Sequence, residues 1–355
     1  MKTKFGKPVL YLLAALAFAG IALSCSDDED AKPADTTQLQ ASVTTAATLI
    51  SSTSEGKNDG QYPAGSKATL QTAIDASQAL ITALSTDQTA VDNAVVSLNK
   101  AIDDYKAKVI APIAEADLIA HWTFNEGTGT TAADQSSHAF NGTFKTGPSA
   151  WGAGFPVWSA DRTGAAGKAV KFDKGANIEI PYNTALNPTA ALSISTWVKS
   201  DVIKAGNRFL GLQSWIGYKF ELQDLNHAFV SIGYSGGTYD KDGQVALPIN
   251  EWHHLVATFG GGQTILYLDG IAINAAKYTD TPNPAKSISD KPYNLVIGQD
   301  FPTDKYASTT TNFDNDKIIP LEWGGYFQGS LDELRMYKTV LTPSQVTSIY
   351  DREKP

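Results

Sequence analysis

The residues that could do chemistry are thinly spread along this chain. Adjacent histidines, His253 and His254, occur in "EWHHLVATF", a stretch of strand composition. Neighbouring strand residues face opposite ways, so the two cannot chelate one metal ion; one is expected inside and the other at the surface. Carboxylates come closest to a hydrolytic pair in "KFELQD" and "LDEL", but Glu221 and Asp224, like Asp332 and Glu333, are expected on opposite faces. Glycoside hydrolysis needs two acids about 5 Å or roughly 6.5–9.5 Å apart, which would have to come from different strands. No G-x-S-x-G elbow and no phosphate-cradling glycine loop occurs. Oxygen donors for a cation are better represented. "DQSSHAFNG" offers Asp134, Ser136 and Asn141, and "GSLDELRMY" offers Asp332 and Glu333. Calcium takes six to eight oxygens, mixing carboxylates with turn carbonyls. The same Asx and Gly residues are also what ordinary tight turns require.

Aromatic residues make a second set. All seven tryptophans lie beyond residue 120. Trp122, Trp197 and Trp252 sit in apolar strand-like runs and are expected in the core. Trp151 and Trp158 in "SAWGAGFPVWSADRTG", Trp215 in "LQSWIGYK", and Trp323 with Tyr326 in "LEWGGYF" lie in Gly-rich, loop-like settings. A flat exposed ring stacks on the C–H face of a sugar, with a few polar neighbours fixing its orientation. A tryptophan that plugs the end of a sandwich has the same sequence signature. The stretch from Gln299 to Gln328 is longer than an ordinary connection, and such loops are usually functional.

Cys25 is the only cysteine of 355 residues, so no disulfide and no cysteine metal site can form within the chain. Before it stand Lys2, Lys4 and Lys7, then "VLYLLAALAFAGIAL", an apolar run of secretory length and short for a bilayer crossing of roughly 20 residues. Cleavage before Cys25 would place its thiol at a new N-terminus. This segment resembles a bacterial lipoprotein signal with its lipobox, although Leu23 beside the cut departs from the preferred pattern. "SDDED" after the cysteine resembles the export signal that sends lipoproteins of polysaccharide-degrading Gram-negative bacteria to the outer face of the outer membrane. A plain acidic tether would look the same. The expectation is a signal peptide over 1–24, lipidation of Cys25, and attachment to the membrane by lipid alone, facing the exterior.

Formal charge is −9, and loss of Lys2, Lys4 and Lys7 would make it −12. That balance excludes nucleic acid as a partner, since phosphate backbones are bound by basic stripes.

Two bodies must position these residues. After the acidic tether (25–37), residues 38–110 are rich in Ala, Leu, Ser, Thr and Asp, with no Trp or Phe. Leu39, Val43, Ala46 and Ile50 repeat at helical spacing, as do Leu70, Ile74, Leu80, Ile81 and Leu84, and Val91, Val95, Leu98, Ile102 and Tyr105. Pro63 suits a first helical turn, and Ser85 with Gln88 reads as a capping box. Three amphipathic helices make a slim bundle. "GQYPAGSKATLQTAIDASQAL" resembles FIVAR-type helical modules, although the namesake pentapeptide is missing. From Ala116 the period becomes two: "LIAHWTF", "LSISTWVK", "HHLVATF" and "TILYLDG" are short strands separated by Gly, Pro, Asn and Asp. Such a succession indicates an all-β sandwich. Thr342, Pro343 and Gln345 open a final helix.

In order, "HWTFNEGTGTTAADQSSHAFNGTF", "GKAVKFD", "LSISTWVK", "INEWHHLVATF", "TILYLDG" and "FQGSLDELRMYKTVLTPSQVTSIY" resemble laminin-G-like (concanavalin-A-like) domains. The resemblance covers 116–351 and implies an all-β jelly-roll sandwich preceded by the small three-helix bundle. It also implies a structural Ca²⁺, carried here by Asp134, Asn141, the Gly142 carbonyl and Asp332. Glycosidases of this fold use a strand of alternating carboxylates, which this chain lacks. The reading is therefore a surface lipoprotein that binds carbohydrate, a polysaccharide or glycoprotein glycan, without catalysis. The alternatives are an adhesin using the same loops on a protein, and, more weakly, a glycoside hydrolase with dispersed carboxylates.

Overall fold

A computed structural model describes residues 32–214, 217–234, 237–277, 293–307 and 319–355. The signal peptide, Cys25, most of the acidic tether and Trp215 lie outside the described residues.

The N-terminal body is three helices: α1 (Thr37–Ser52), α2 (Ser66–Thr82) and α3 (Gln88–Lys106). Their apolar faces meet in one small core of Leu39, Ala46, Leu70, Ile74, Val91, Leu98, Ile102 and Tyr105. Tyr62, in the first connection, stacks on Tyr105 with ring centroids 4.3 Å apart, so the loop closes the open end of the bundle. The expected cap at Ser85 gives way to Asp87, whose carboxylate accepts the N–H of Ala90 at 3.1 Å. Gln88 is thereby freed to tie down the chain entering α1, accepting the N–H of Asp35 at 2.8 Å. Pro63 precedes α2 instead of lying within it.

The second body is two antiparallel sheets packed face to face. Strands in chain order are β1 (Leu118–Trp122), β2 (Thr131–Ala132), β3 (Gly142–Lys145), β4 (Val157–Ser159), β5 (Ala169–Phe172) and β6 (Asn177–Ile180). Then follow β7 (Leu192–Ser200), β8 (Asn207–Leu212), β9 (Tyr218–Leu222), β10 (His227–Tyr234), β11 (Gly237–Ala246) and β12 (His253–Gly260). The last are β13 (Gln263–Leu268), β14 (Ile271–Lys277), β15 (Leu295–Ile297), β16 (Tyr306–Ala307), β17 (Ile319–Pro320) and β18 (Gly329–Tyr337). The first sheet runs β14-β13-β12-β7-β18-β5-β4, with β1 also on β18; the second runs β11-β10-β9-β8-β15-β6-β3-β2. Runs of hairpins such as β12 to β14 and β8 to β11 are joined to strands distant in sequence, β7 beside β18 and β8 beside β15, as in a jelly roll.

Alternation decides what fills the core. On β7, Leu192, Ile194 and Val198 face the other sheet, joined by Phe172, Phe209, Phe220, Phe327 and Met336. Trp197 has the opposite parity. It is buried all the same, because the final helix α4 (Pro343–Glu353) covers the outer face of the first sheet. Tyr350 stacks on Trp197 at 5.8 Å, and the indole N–H donates to Glu353 at 2.9 Å. Trp197 is thus buried on the outer side of the sheet, not in the sandwich. Trp252 is only half-buried, with Lys199 5.2 Å from its ring. The expected cap of α4 is present: Thr342 Oγ1 accepts from the N–H of Gln345 and the Gln345 side chain accepts from the N–H of Thr342.

Glu353 pairs with Arg335 at 2.7 Å, so the folded body extends past Asp351. Gln345 donates to the Ala111 carbonyl, and Ser348 to the Lys57 carbonyl, tying α4 to the helical body as well.

Candidate functional site

The loop aromatics divide between two places. Trp158, on edge strand β4, leans on Phe144 at 5.0 Å and donates its indole N–H to the Gly129 carbonyl at 2.9 Å, closing that margin of the core. Trp151, Trp323 and Tyr326 gather instead on the far side of the second sheet. There the short helical turns Ser149–Trp151 and Leu321–Trp323 approach the loop joining β7 to β8. Trp151 touches two rings, Tyr306 and Tyr326, each with its centroid 4.9 Å away. Two glycines make this approach possible. A Cβ on Gly324 would lie 2.9 Å from the Trp151 indole and 2.3 Å from the Tyr306 ring; one on Gly325 would lie 2.6 Å from the Gly206 carbonyl. Tyr326 is half-buried, with Lys204 Nζ 3.4 Å over its ring centroid. Trp323 is the open member, 45% exposed. Sequence alone did not separate platform from plug: Trp323 is exposed, whereas Tyr326 and Trp158 are half-buried.

A charged network that sequence reading missed underlies these rings. Arg208 on β8 faces away from the core, across from Glu221 on β9, and pairs with it at 2.9 Å. Its Nη1 also pairs with Asp300 and donates to the Trp323 carbonyl at 2.9 Å. Lys219 meets the second oxygen of Glu221 at 2.9 Å. Asp300 further accepts from the Tyr306 hydroxyl and the Gly325 N–H. Glu221 and Asp300 are wholly buried. Burial pushes the Asp300 carboxyl above its usual range although Arg208 opposes this. A buried carboxylate left unpaired is costly, so Arg208 holds the loop after β15 down on the sheet and, through Trp323, fixes the aromatic turn. The only sequence hint was a charged residue in each of two apolar strands.

The hydrolytic carboxylates do not assemble. Glu221 is held by Arg208 and Lys219, and Asp224 is exposed beyond the end of its strand. Asp332 and Glu333 depart from expectation in another way. The ladder to β7 breaks between Asp332 and Arg335, and Glu333 takes φ 53°, so a bulge replaces simple alternation. Asp332 then meets Arg162, while Glu333 meets His121 and Arg335. Burial lifts the Asp332 carboxyl to about 7 against the pull of Arg162. Burial also raises Glu333, but the His121 hydrogen bond and the Arg335 charge outweigh it and hold the group low. The histidines separate as expected: His254 is wholly buried, and His253 is partly exposed beside Asp269 at 2.9 Å.

The proposed calcium ligands divide as well. Asp134 and Asn141 meet, but Asn141 Oδ1 accepts the N–H of Asp134 at 2.9 Å. Asp134 Oδ1 accepts from the N–H groups of His121 (2.8 Å) and Ser136 (2.9 Å). Its Oδ2 accepts from the Ser136 hydroxyl (2.6 Å) and the Phe140 N–H (2.8 Å). Gly142 lies in the ladder between β2 and β3, and Asp332 is committed to Arg162. A carboxylate already surrounded by four donors has little left for a cation. Asp134, Asn141, Gly142 and Asp332 as arranged do not fit a calcium ion; Asp134 and Asn141 instead pin the turn after β2 to β1. Among the described residues, no cluster of three or more His, Cys, Asp or Glu suits a metal.

Comparison with known proteins supports the architecture. Residues 172–347 match the family model of the concanavalin A-like lectin/glucanases superfamily. That match begins in β5, but β1 and β4 complete the same sheet, so the folded unit extends further toward the N-terminus. Residues 34–109 match a family described as a domain of unknown function (DUF4972). No curated protein matches the chain. Similar solved structures include domain 4 of AbnA, a GH43 extracellular arabinanase from Geobacillus stearothermophilus, in complex with arabinotriose. It is 21% identical, covering 66% of this chain and 98% of that one, with a TM-score of 0.48. The binding domain of Paraclostridial Mosquitocidal Protein 1 is 15% identical over 67% of this chain and 52% of its own, with a TM-score of 0.47. The binding domain of Botulinum Neurotoxin DC in complex with SialylT is 11% identical over 67% and 52%, with a TM-score of 0.43. The present chain thus spans about half of each of these last two.

Proposed function

We propose a non-catalytic carbohydrate-binding function for this chain, whose residues 172–347 match the concanavalin A-like superfamily and form the greater part of a jelly roll. One observation carries the reading: Trp323 is 45% exposed on a turn that Arg208 and two glycines hold rigidly against the sheet. A half-exposed indole that does not have to be ordered on binding is what a sugar ring stacks against at low entropic cost. Hydrolysis is disfavoured because the buried acids nearest the rings, Glu221 and Asp300, are both neutralised by Arg208. The ligand is a polysaccharide or a glycoprotein glycan.

In this reading Cys25 carries lipid, the acidic run directs the protein to the outer face of the outer membrane, and the helical body lifts the jelly roll from the surface. Among the described residues no observation favours the adhesin alternative. A glycan array probed with the purified protein and with Trp323→Ala tests the function. Binding that disappears in the variant supports it, and a blank array with a folded protein refutes it.

A further inference from the structure

The loop between β7 and β8 holds a lysine in an unusual position. Lys204 lies partly buried with its Nζ over the Tyr326 ring, and among the described residues it has neither an ion pair nor a hydrogen bond. Three other cations of these strands are committed. Lys171 pairs with Asp201 at 2.9 Å, and Arg208 and Lys219 are matched by Asp300 and Glu221. Asp173 is the acid whose charge Lys204 feels most, but no ion pair forms between them; Asp173 accepts instead from the Gln328 amide at 3.0 Å. A lysine on an open surface would extend its ammonium into water. This one rests on the Tyr326 ring without a direct ion pair, in the loop that meets the Trp323 turn. The two loops touch at Gly206 and Gly325, so Lys204 and the Trp323 turn border one corner of the site.

We propose that this corner selects an acidic sugar, with the pyranose ring against Trp323 and its carboxylate on the Lys204 ammonium. This rests on the carbohydrate-binding reading above and narrows it to carboxylated glycans, whether uronic or sialic acids. An anion supplies the counter-charge that the protein withholds, and a partly desolvated site strengthens the pair relative to water. In the ligand-free protein burial lowers the Lys204 pKa to about 8, with Asp173 opposing and Arg208 assisting. Asp173, Arg208 and Tyr326 are the ionisable groups facing it, and an anion bound there should raise its pKa.

The test is calorimetric titration of the full protein at pH 7 with a galacturonate oligomer, with 3′-sialyllactose and with uncharged lactose and xylo-oligosaccharide. At least one carboxylated probe should bind tenfold or more tightly than the neutral ones. Whichever acid binds names the source of the carboxylate. Lys204→Met should abolish that preference while leaving the melting temperature unchanged, and Lys204→Arg should restore part of it. Affinity for the acid should decline as pH rises above about 8. Equal affinity for acidic and neutral probes, or a Lys204→Met protein that keeps the preference, overturns the inference while leaving the carbohydrate reading intact. Binding of no glycan by a folded protein removes both.

Discussion

Ser195 Oγ and His254 Nε2 stand 2.8 Å apart, and both side chains are wholly buried. The distance is that of a nucleophile and its base, but the surroundings are not catalytic. His254 Nδ1 has no partner, and the carboxylate that would orient the ring is missing. Asp269 accepts instead from the His254 backbone N–H and meets the ring of His253. Trp197 and Tyr350 cover the imidazole, leaving no path for a substrate.

That burial predicts an acid sensitivity. Burial, reinforced by the charge of Arg335, lowers the His254 pKa from 6.5 to about 3, so the folded state resists a proton that the unfolded chain accepts. The contribution is full above pH 6.5 and declines as pH falls toward 3. Between pH 6.5 and 4.5 the loss should be about 2–3 kcal/mol. Urea denaturation of the wild type and His254→Gln across that range isolates it; parallel pH profiles for the two would contradict the assignment.

Arg208 supports the candidate site from beneath. Arg208→Met should destabilise the fold by about 3–5 kcal/mol, because Asp300 is left buried with only the Tyr306 hydroxyl and the Gly325 N–H. The deficit should shrink in acid, where Asp300 takes up a proton. A melting temperature equal to wild type at pH 7 would show that the network holds nothing down.

For calcium the expectation from family resemblance and the expectation from geometry now differ. With Asp134 already accepting four hydrogen bonds, EDTA should leave the melting temperature where it is. Asp134→Ala should cost about 2–4 kcal/mol by stranding several buried donors, with or without chelator. A drop on EDTA addition, absent in Asp134→Ala, would restore the ion.

Trp323 and Trp151 should respond in opposite ways. Trp323→Ala should lower glycan affinity by about 1–3 kcal/mol with little change in melting, since its ring adds little to a core. Trp151→Ala, which removes the contact to both Tyr306 and Tyr326, should cost about 2 kcal/mol or more of stability. Measuring both quantities on both variants would expose a reversed pattern.

Lipid attachment has its own test. Cys25→Ala should leave the protein unprocessed or release it from the membrane fraction. An unmodified Cys25 in the mass spectrum of the mature N-terminus would exclude lipidation there.

Some of the site was visible in the sequence and some was not. Gly-rich settings marked Trp151, Trp323 and Tyr326 as special, because glycine spacing shows where chains must approach closely. The same rule misplaced Trp158, whose loop-like neighbours flank an edge strand. Lys204 carried no signal at all, and Arg208 only that of a charge within an apolar strand. Their roles depend on which strand lies beside β8, and that neighbour, β15, comes from more than eighty residues away.

By itself the sequence determined the periodicities, and therefore the three-helix body, the sandwich, the capped final helix and most of the core, because local spacing dictates which faces are apolar. Tertiary structure alone decided what the outer faces of the sheets became. α4 buried Trp197 and His254 on one. On the other, the loop from β15 brought Asp300 to Arg208 and set the Trp323 turn against the loop that carries Lys204. The reason is physical: burial and charge pairing are properties of groups joined by long-range strand pairing, and no local spacing encodes which distant segment will cover a face.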